Sequence, residues 1–179
     1  RAMLERKAGG KENTSLQATL LSRILDDEIT SKSGLNLTQK QRFSDKLSST
    51  LLAYENRTHN VEKTLEKLME LRAELLAAQK RGEELGLSEY EIAFYDALLK
   101  RKDVATIKDD AYLLDVAQKL TEAVRKSATL DWHKHQDTLS KMRRAIKGVL
   151  RKNYPREELD NLIELLVEQA EQFGSELAA

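Results

Sequence analysis

The chain has no cysteine, one proline and only seven glycines among its 179 residues. Without thiols there can be no disulfide framework and no thiolate-bound metal. The scarcity of proline and glycine removes the usual punctuation of strands and tight turns. No apolar run approaches the length needed to cross a bilayer, which points to a soluble and most simply cytoplasmic protein. Neither sign of charge is in excess, since 30 Lys and Arg balance 30 Asp and Glu. Net charge therefore indicates no nucleic-acid or membrane partner, and only its distribution can. The sequence opens at Arg1 with no signal-like apolar stretch behind it, and so reads as part of something longer or as a processed product.

What is abundant is Leu, Ala, Glu, Lys and Arg, residues of high helix propensity. A chain of this length can bury roughly two-thirds or more of the surface it exposes when unfolded, enough for a real core. The fold class expected is all-α, an irregular bundle of about six to eight helices with antiparallel hairpins. Residues 1–13 are assigned to a linker or N-terminal extension, 14–87 to a first helical lobe and 88–179 to a C-terminal lobe, the two lobes forming one continuous helical domain.

Lys7 to Asn13, which includes Gly9-Gly10, carries the linker signal, and Thr14 with Gln17 makes a capping box for a helix whose apolar residues are Leu16, Leu20, Leu21, Ile24, Leu25 and Ile29. Ser33-Gly34 is a stop, and Thr38 with Gln41 signals a helix burying Phe43, Leu47, Thr50, Leu51 and Tyr54. After an interruption near His59-Asn60, Val61, Leu65, Leu68, Leu71, Leu75 and Ala78 recur at spacings of three and four. This stripe suits an intramolecular hairpin better than a coiled-coil dimer, and it ends between Gly82 and Gly86.

Ser88 and Glu91 form a second capping box, opening a helix with Ile92, Phe94, Tyr95, Leu98 and Leu99. Asp103 to Asp109 reads as a turn or loop. Leu113, Val116, Leu120 and Val124 share the next face, and Asp131 can cap a helix carrying Trp132, His135, Leu139, Met142, Ile146 and Val149. Pro155 suits a first helical turn. Leu159, Leu162, Ile163, Leu166, Ala170 and Phe173 then make the clearest stripe in the chain.

Catalytic motifs are missing. No glycine-rich turn precedes Lys and Ser or Thr, so no phosphate cradle of the P-loop kind is expected, and no cofactor site of any kind. His133 and His135 are two residues apart and point to different helix faces, which argues against a metal site and makes His135 a core or boundary histidine. Glu5-Arg6-Lys7 is the nearest match to a nuclease acid-x-Lys element, a coincidence in so charged a chain. No Ser or Thr carries the signature of a nucleophile. Trp132 reads as a packing anchor in preference to a base-stacking platform.

One feature rises above background. Lys134, Lys141, Arg143, Arg144, Lys147, Arg151 and Lys152 gather on one helix against Asp137 alone, while Glu157, Glu158, Asp160, Glu164, Glu168 and Glu171 fill the next. One reading is a hairpin whose flanks pair across the seam, helped by the helix dipoles. The other is a contact surface for phosphate or an acidic partner, with Lys141, Arg144 and Lys147 facing away from the seam. The candidate contact residues are Lys141, Arg143, Arg144, Lys147, Arg151 and Lys152.

Three stretches in the middle of the chain resemble a known family: Tyr54-Glu55-Asn56-Arg57, the run from Lys80 to Ser88, and Ala93-Phe94-Tyr95-Asp96-Ala97-Leu98. Val124-Arg125-Lys126, Leu130-Asp131-Trp132, Met142-Arg143-Arg144-Ala145-Ile146-Lys147, Leu150-Arg151-Lys152, Tyr154-Pro155 and Glu168-Gln169-Ala170-Glu171 follow in order. Together, over residues 20–173, they look like the C-terminal helical region of the R subunit of type I restriction enzymes. That resemblance implies a parent that cleaves DNA with an N-terminal nuclease and pumps it with two ATP-driven RecA-like domains, so that ATP and Mg²⁺ belong to the parent and not to this segment. It further implies a non-catalytic helical module docking the motor subunit onto the methyltransferase and specificity core, with double-stranded DNA as a second partner. Two other classes stay open: a self-associating structural element with the 61–78 stripe as its seam, and a module that binds duplex DNA directly.

Overall fold

The computed structural model describes residues 2–32, 36–100, 110–128, 132–151 and 159–174. Among them the fold is all-α, as the composition predicts, with seven α-helices in chain order: α1 (Ala2–Lys32), α2 (Leu37–Glu55), α3 (Val61–Leu85), α4 (Glu89–Leu99), α5 (Asp110–Ser127), α6 (Gln136–Leu150) and α7 (Leu159–Phe173), with a 3-10 turn at Trp132–Lys134 before α6. No described helix is long and apolar enough to cross a membrane. The chain divides into two compact units. The first holds α1 and the stretch Lys40–Arg81, and the second holds the opening of α2 through Gln39 and everything described from Gly82 onward.

In the first unit α1 runs without a break through Gly9-Gly10, where the composition pointed to a linker. Each glycine costs a helix only about 1 kcal/mol relative to alanine, and the flanking residues from Ala2 to Ala8 are mostly strong helix formers. Thr14 consequently lies inside the helix and caps nothing. The expected stop at Ser33-Gly34 lies outside the described residues. Ala18, Leu25 and Ile29 of α1 meet Phe43 and Leu47 of α2 and Leu68, Leu71 and Leu75 of α3 in one core. Each buried Leu or Phe contributes roughly 1.5–3 kcal/mol. The centre of the α3 stripe is thus buried within the unit, while Met69 and Leu76 on another side of the helix stay exposed. Leu16, Leu20 and Ile24, also among the apolar residues read from the sequence, lie on the other side of α1 and are about half exposed, at 58%, 50% and 55%.

Helix α2 starts two residues earlier than Thr38 suggests. Asn36 is its cap, accepting the Gln39 amide at 3.0 Å through its side-chain oxygen. Asn60 caps α3 in the same way, accepting from the Lys63 amide at 2.8 Å. Glu74 of α3 accepts hydrogen bonds from Lys46 (2.8 Å) and Arg42 (3.1 Å) of α2. The Lys46 ammonium, and behind it the Arg42 guanidinium, hold the Glu74 carboxyl below its ordinary range. All three side chains are 40–55% exposed, so this cluster fixes register more than it adds stability.

Gly86 closes α3 at φ +65°, a left-handed conformation that an L side chain resists. The capping box that follows is complete: the Ser88 hydroxyl accepts the Glu91 amide at 3.4 Å, and the Glu91 carboxylate accepts the Ser88 amide at 2.8 Å. Ser88→Ala is expected to destabilise the second unit by about 1 kcal/mol. The amide of Glu91 should then exchange with solvent faster; unchanged exchange would mean that burial alone holds the start of α4.

The second unit is a closed ring of four helices, with α4 against α5, α5 against α6, α6 against α7, and α7 back against α4. Its core contains every residue of the expected α5 face (Leu113, Val116, Leu120, Val124) and of the α7 stripe (Leu159, Leu162, Ile163, Leu166, Ala170, Phe173). Phe173 packs edge to face on Tyr90 (4.9 Å) and Phe94 (5.3 Å), an arrangement worth more than area alone. Trp132 is fully buried, as a packing anchor should be, and its indole N–H donates to the Gly174 carbonyl at 2.8 Å. His135 is a correction. It is exposed at the cap position of α6, since the 3-10 turn that seats Trp132 delays the helix to Gln136. Asp131, Pro155 and the 103–109 segment lie outside the described residues.

Candidate functional site

Helix α6 turns Met142, Ile146 and Leu150 into the core, so residues one and two positions away from these face outward or toward the seam with α7. Two of the cations sit on the seam. Arg143 grips Glu164 with both ends of its guanidinium, at 2.9 Å from Nε and 2.9 Å from Nη2, and Lys147 lies 3.8 Å from Asp160. Along these pairs the numbers rise on α6 as they fall on α7, so the helices run antiparallel. The bidentate bond lowers the Glu164 carboxyl below its usual range and raises the Arg143 guanidinium above its own. An open groove runs beside these pairs, lined by Arg143, Arg144, Lys147, Asp160, Asn161, Ile163 and Glu164.

Lys147 was expected to face away from α7, and the structure places it on the seam instead. Lys141, Arg144 and Arg151 are exposed, Arg144 at the edge of the groove, and none of them forms an ion pair among the described residues. The Arg144 guanidinium reaches only the Ser140 carbonyl, at 3.3 Å. Lys152 lies outside the described residues. Arg143 and Lys147 thus pair across the hairpin, while Lys141, Arg144 and Arg151 are exposed and form no ion pair among the described residues. Asp137 is an acid exposed on the same helix.

A second polar group escaped sequence reasoning. Asp96 is buried, 5% exposed, inside α4, where it accepts from Asn36 Nδ2 and Gln39 Nε2, each at 2.8 Å. Gln169 of α7, 1% exposed, accepts the Leu37 amide at 3.0 Å. The available signal was an acid within the apolar run from Ile92 to Leu99, which a helix buried on every side must satisfy internally. Two of its partners are side-chain amides, and one of these, Asn36, also caps α2, a setting for holding backbone in place. Among the described residues no three His, Asp or Glu converge to hold a metal ion.

Comparison with known proteins gives this surface a context. The family described as "Type I restriction enzyme HindI endonuclease subunit-like, C-terminal" matches residues 2–176, extending farther toward the N-terminus than the resemblance read from the sequence. The chain is 30% identical over 164 residues to the type I restriction enzyme HindI endonuclease subunit of Haemophilus influenzae, an alignment covering 91% of this chain and 16% of that protein. It is 29% identical over 134 residues to a chain from Methanocaldococcus jannaschii assigned as the MjaIXP endonuclease subunit of a type I restriction enzyme, covering 74% of this chain and 13% of that one. The sequence thus spans about a sixth or less of the length of these relatives. No solved structure matches it.

Proposed function

The chain belongs to the family of C-terminal regions of type I restriction enzyme endonuclease subunits, and from that membership we propose that it is a non-catalytic assembly domain. It docks the ATP-dependent translocase and nuclease onto the methyltransferase–specificity core, in the cytoplasm where such a system would meet DNA. The observation that carries this reading is the outer face of α6, where Lys141, Arg144 and Arg151 stand exposed and unpaired among the described residues while their neighbours Arg143 and Lys147 are engaged by α7.

Catalysis is assigned by this reading to the much larger part of the relatives that the chain does not span. ATP and Mg²⁺ go with it. No glycine-rich turn here precedes a Lys and a Ser or Thr at a helix start, and no cluster of carboxylates is described that could hold the ion. A self-associating role through α3 draws no support, since Leu68, Leu71 and Leu75 are already covered.

The test is the equilibrium affinity of the chain for a cognate methyltransferase–specificity complex free of DNA. Reversing Lys141 and Arg144 together to Glu is expected to weaken binding about tenfold or more through lost electrostatic complementarity. Thermal unfolding should be unchanged, because neither side chain is paired. Affinity equal to that of the parent chain would return both residues to ordinary solvated surface.

A further inference from the structure

Helix α1 carries apolar side chains on two opposite sides. Ala18, Leu25 and Ile29 enter the core of the first unit, while Leu16, Leu20 and Ile24 stand 58%, 50% and 55% exposed on the far side. A helix that packs only against its own unit needs one apolar face. Three adjacent side chains of this size expose roughly 300 Å² together, the scale at which an apolar patch on a monomer marks an interaction site. The hydroxyl beside them is ready to be covered, since Thr19 donates to the Ser15 carbonyl at 3.0 Å and needs no water.

The spacing of the stripe fixes how another helix can meet it. At i, i+4 and i+8 the three side chains form a single ridge, and ridges of this kind interdigitate when two helices cross at about −50°. A crossing touches each helix over a short length, and Leu16 to Ile24 covers about 12 Å. The stripe is also symmetric about its middle residue. A two-fold axis at Leu20 sets Leu20 against its own copy and Leu16 against Ile24, so every apolar side chain meets another. The charges that border it, Arg23 and Asp27, are exposed and favour the same arrangement. Parallel pairing would stack Arg23 on Arg23 and Asp27 on Asp27, whereas the two-fold carries them to opposite flanks and sets Arg23 beside the neutral Gln17.

We propose that the Leu16–Leu20–Ile24 face of α1 is a homotypic contact, on which a second copy of this chain crosses with Leu20 at the two-fold axis. The contact uses neither the α6 surface nor the α3 stripe. Two such patches bury about 600 Å² between them, short of the roughly 1,200 Å² of stable complexes, so the pair is weak and exchanges freely. Because the interface is self-complementary, one substitution on α1 alters it twice.

The experiment is equilibrium sedimentation of the full chain from about 10 µM to about 1 mM, where the mean mass should rise from one chain toward two. Leu20→Asn should weaken association about tenfold or more with an unchanged circular dichroism spectrum. Leu52→Asn, a like change at a leucine 57% exposed on α2, should leave it alone. The absence of cysteine allows a geometric check. Two Cα atoms at a helix crossing come within disulfide reach, whereas Leu16 and Ile24 each lie about 12 Å along the helix from their own copies. Leu20→Cys should therefore yield a disulfide-linked dimer under mild oxidation, and Leu16→Cys or Ile24→Cys only traces. Association that ignores Leu20→Asn, association lost equally in Leu52→Asn, or equal crosslinking at all three positions overturns the proposal. A chain that stays monomeric to about 1 mM overturns it as well, and leaves the stripe to a different protein.

Discussion

Trp132→Ala is expected to cost the second unit about 3–5 kcal/mol, the largest loss available from one side chain. The indole is fully buried, ahead of every other residue in volume among the fully buried side chains, and it ties the start of α6 to the end of α7 at the open end of the hairpin. Its N–H donates to the Gly174 carbonyl just past α7, while the Thr138 hydroxyl in the first turn of α6 donates to its backbone carbonyl. Truncation removes the volume and leaves the Gly174 carbonyl without that donor, so a cavity and a lost hydrogen bond act together. Trp132→Phe keeps most of the volume and should recover more than half of the loss. Urea denaturation followed by circular dichroism measures both; a loss below about 1 kcal/mol for the alanine variant would mean that the site collapses around the gap.

Asp96→Ala is the second large effect, at about 2–4 kcal/mol. The mutation deletes the acceptor shared by Asn36 Nδ2 and Gln39 Nε2, stranding two buried or half-buried amides that no longer reach water freely. It should also loosen the first turn of α2, since Asn36 both donates to Asp96 and caps that turn through Oδ1. Hydrogen exchange at the Gln39 amide is the local readout, expected to speed up in Asp96→Ala and again in Asn36→Ala. The two changes together should cost less than their sum, because each already breaks the same bond. Strict additivity would show that the carboxylate is held by other contacts and that the Asn36 bond contributes little.

The parts of the fold that could be read in advance are those where chemistry repeats along one face. The α5 and α7 stripes are buried residue for residue because four or six apolar side chains in phase leave a helix one way to dry itself. The Ser88–Glu91 box was legible because its two hydrogen bonds are local and need no tertiary partner. Periodicity identifies which residues share a face but not how much of it a neighbour covers. Leu16, Leu20 and Ile24 repeat every four residues as a core face would, yet Ala18, Leu25 and Ile29 on the opposite side of α1 are the ones that meet α2 and α3. Local signals also mislead when a stronger one lies nearby. Thr38 is a good cap in isolation, but Asn36 has Asp96 to anchor its amide and so starts the helix sooner.

The cationic site was visible as a cluster and not as a geometry. Six basic residues could be counted, but whether each met an acid depended on the register of two helices. That register is set by the apolar contacts of Ile146 and Leu162 and their neighbours, not by the charges. Lys147 went to the seam for this reason, while Lys141, Arg144 and Arg151 stayed exposed. The Asp96 cluster was harder still, because its partners stand 60 and 57 residues away in the chain and no local pattern joins them.

The opposition of a basic α6 to an acidic α7 has a consequence at distances where no contact is made. A formal net charge of zero suggests a molecule indifferent to a polyanion, yet separated charges of opposite sign give the second unit a permanent dipole moment. In the field of any polyanion such a body would feel a torque before a net force, so at low ionic strength it would turn its α6 side toward the charge. On an ion-exchange column the same molecule would adhere to resins of either sign, each time by a different side.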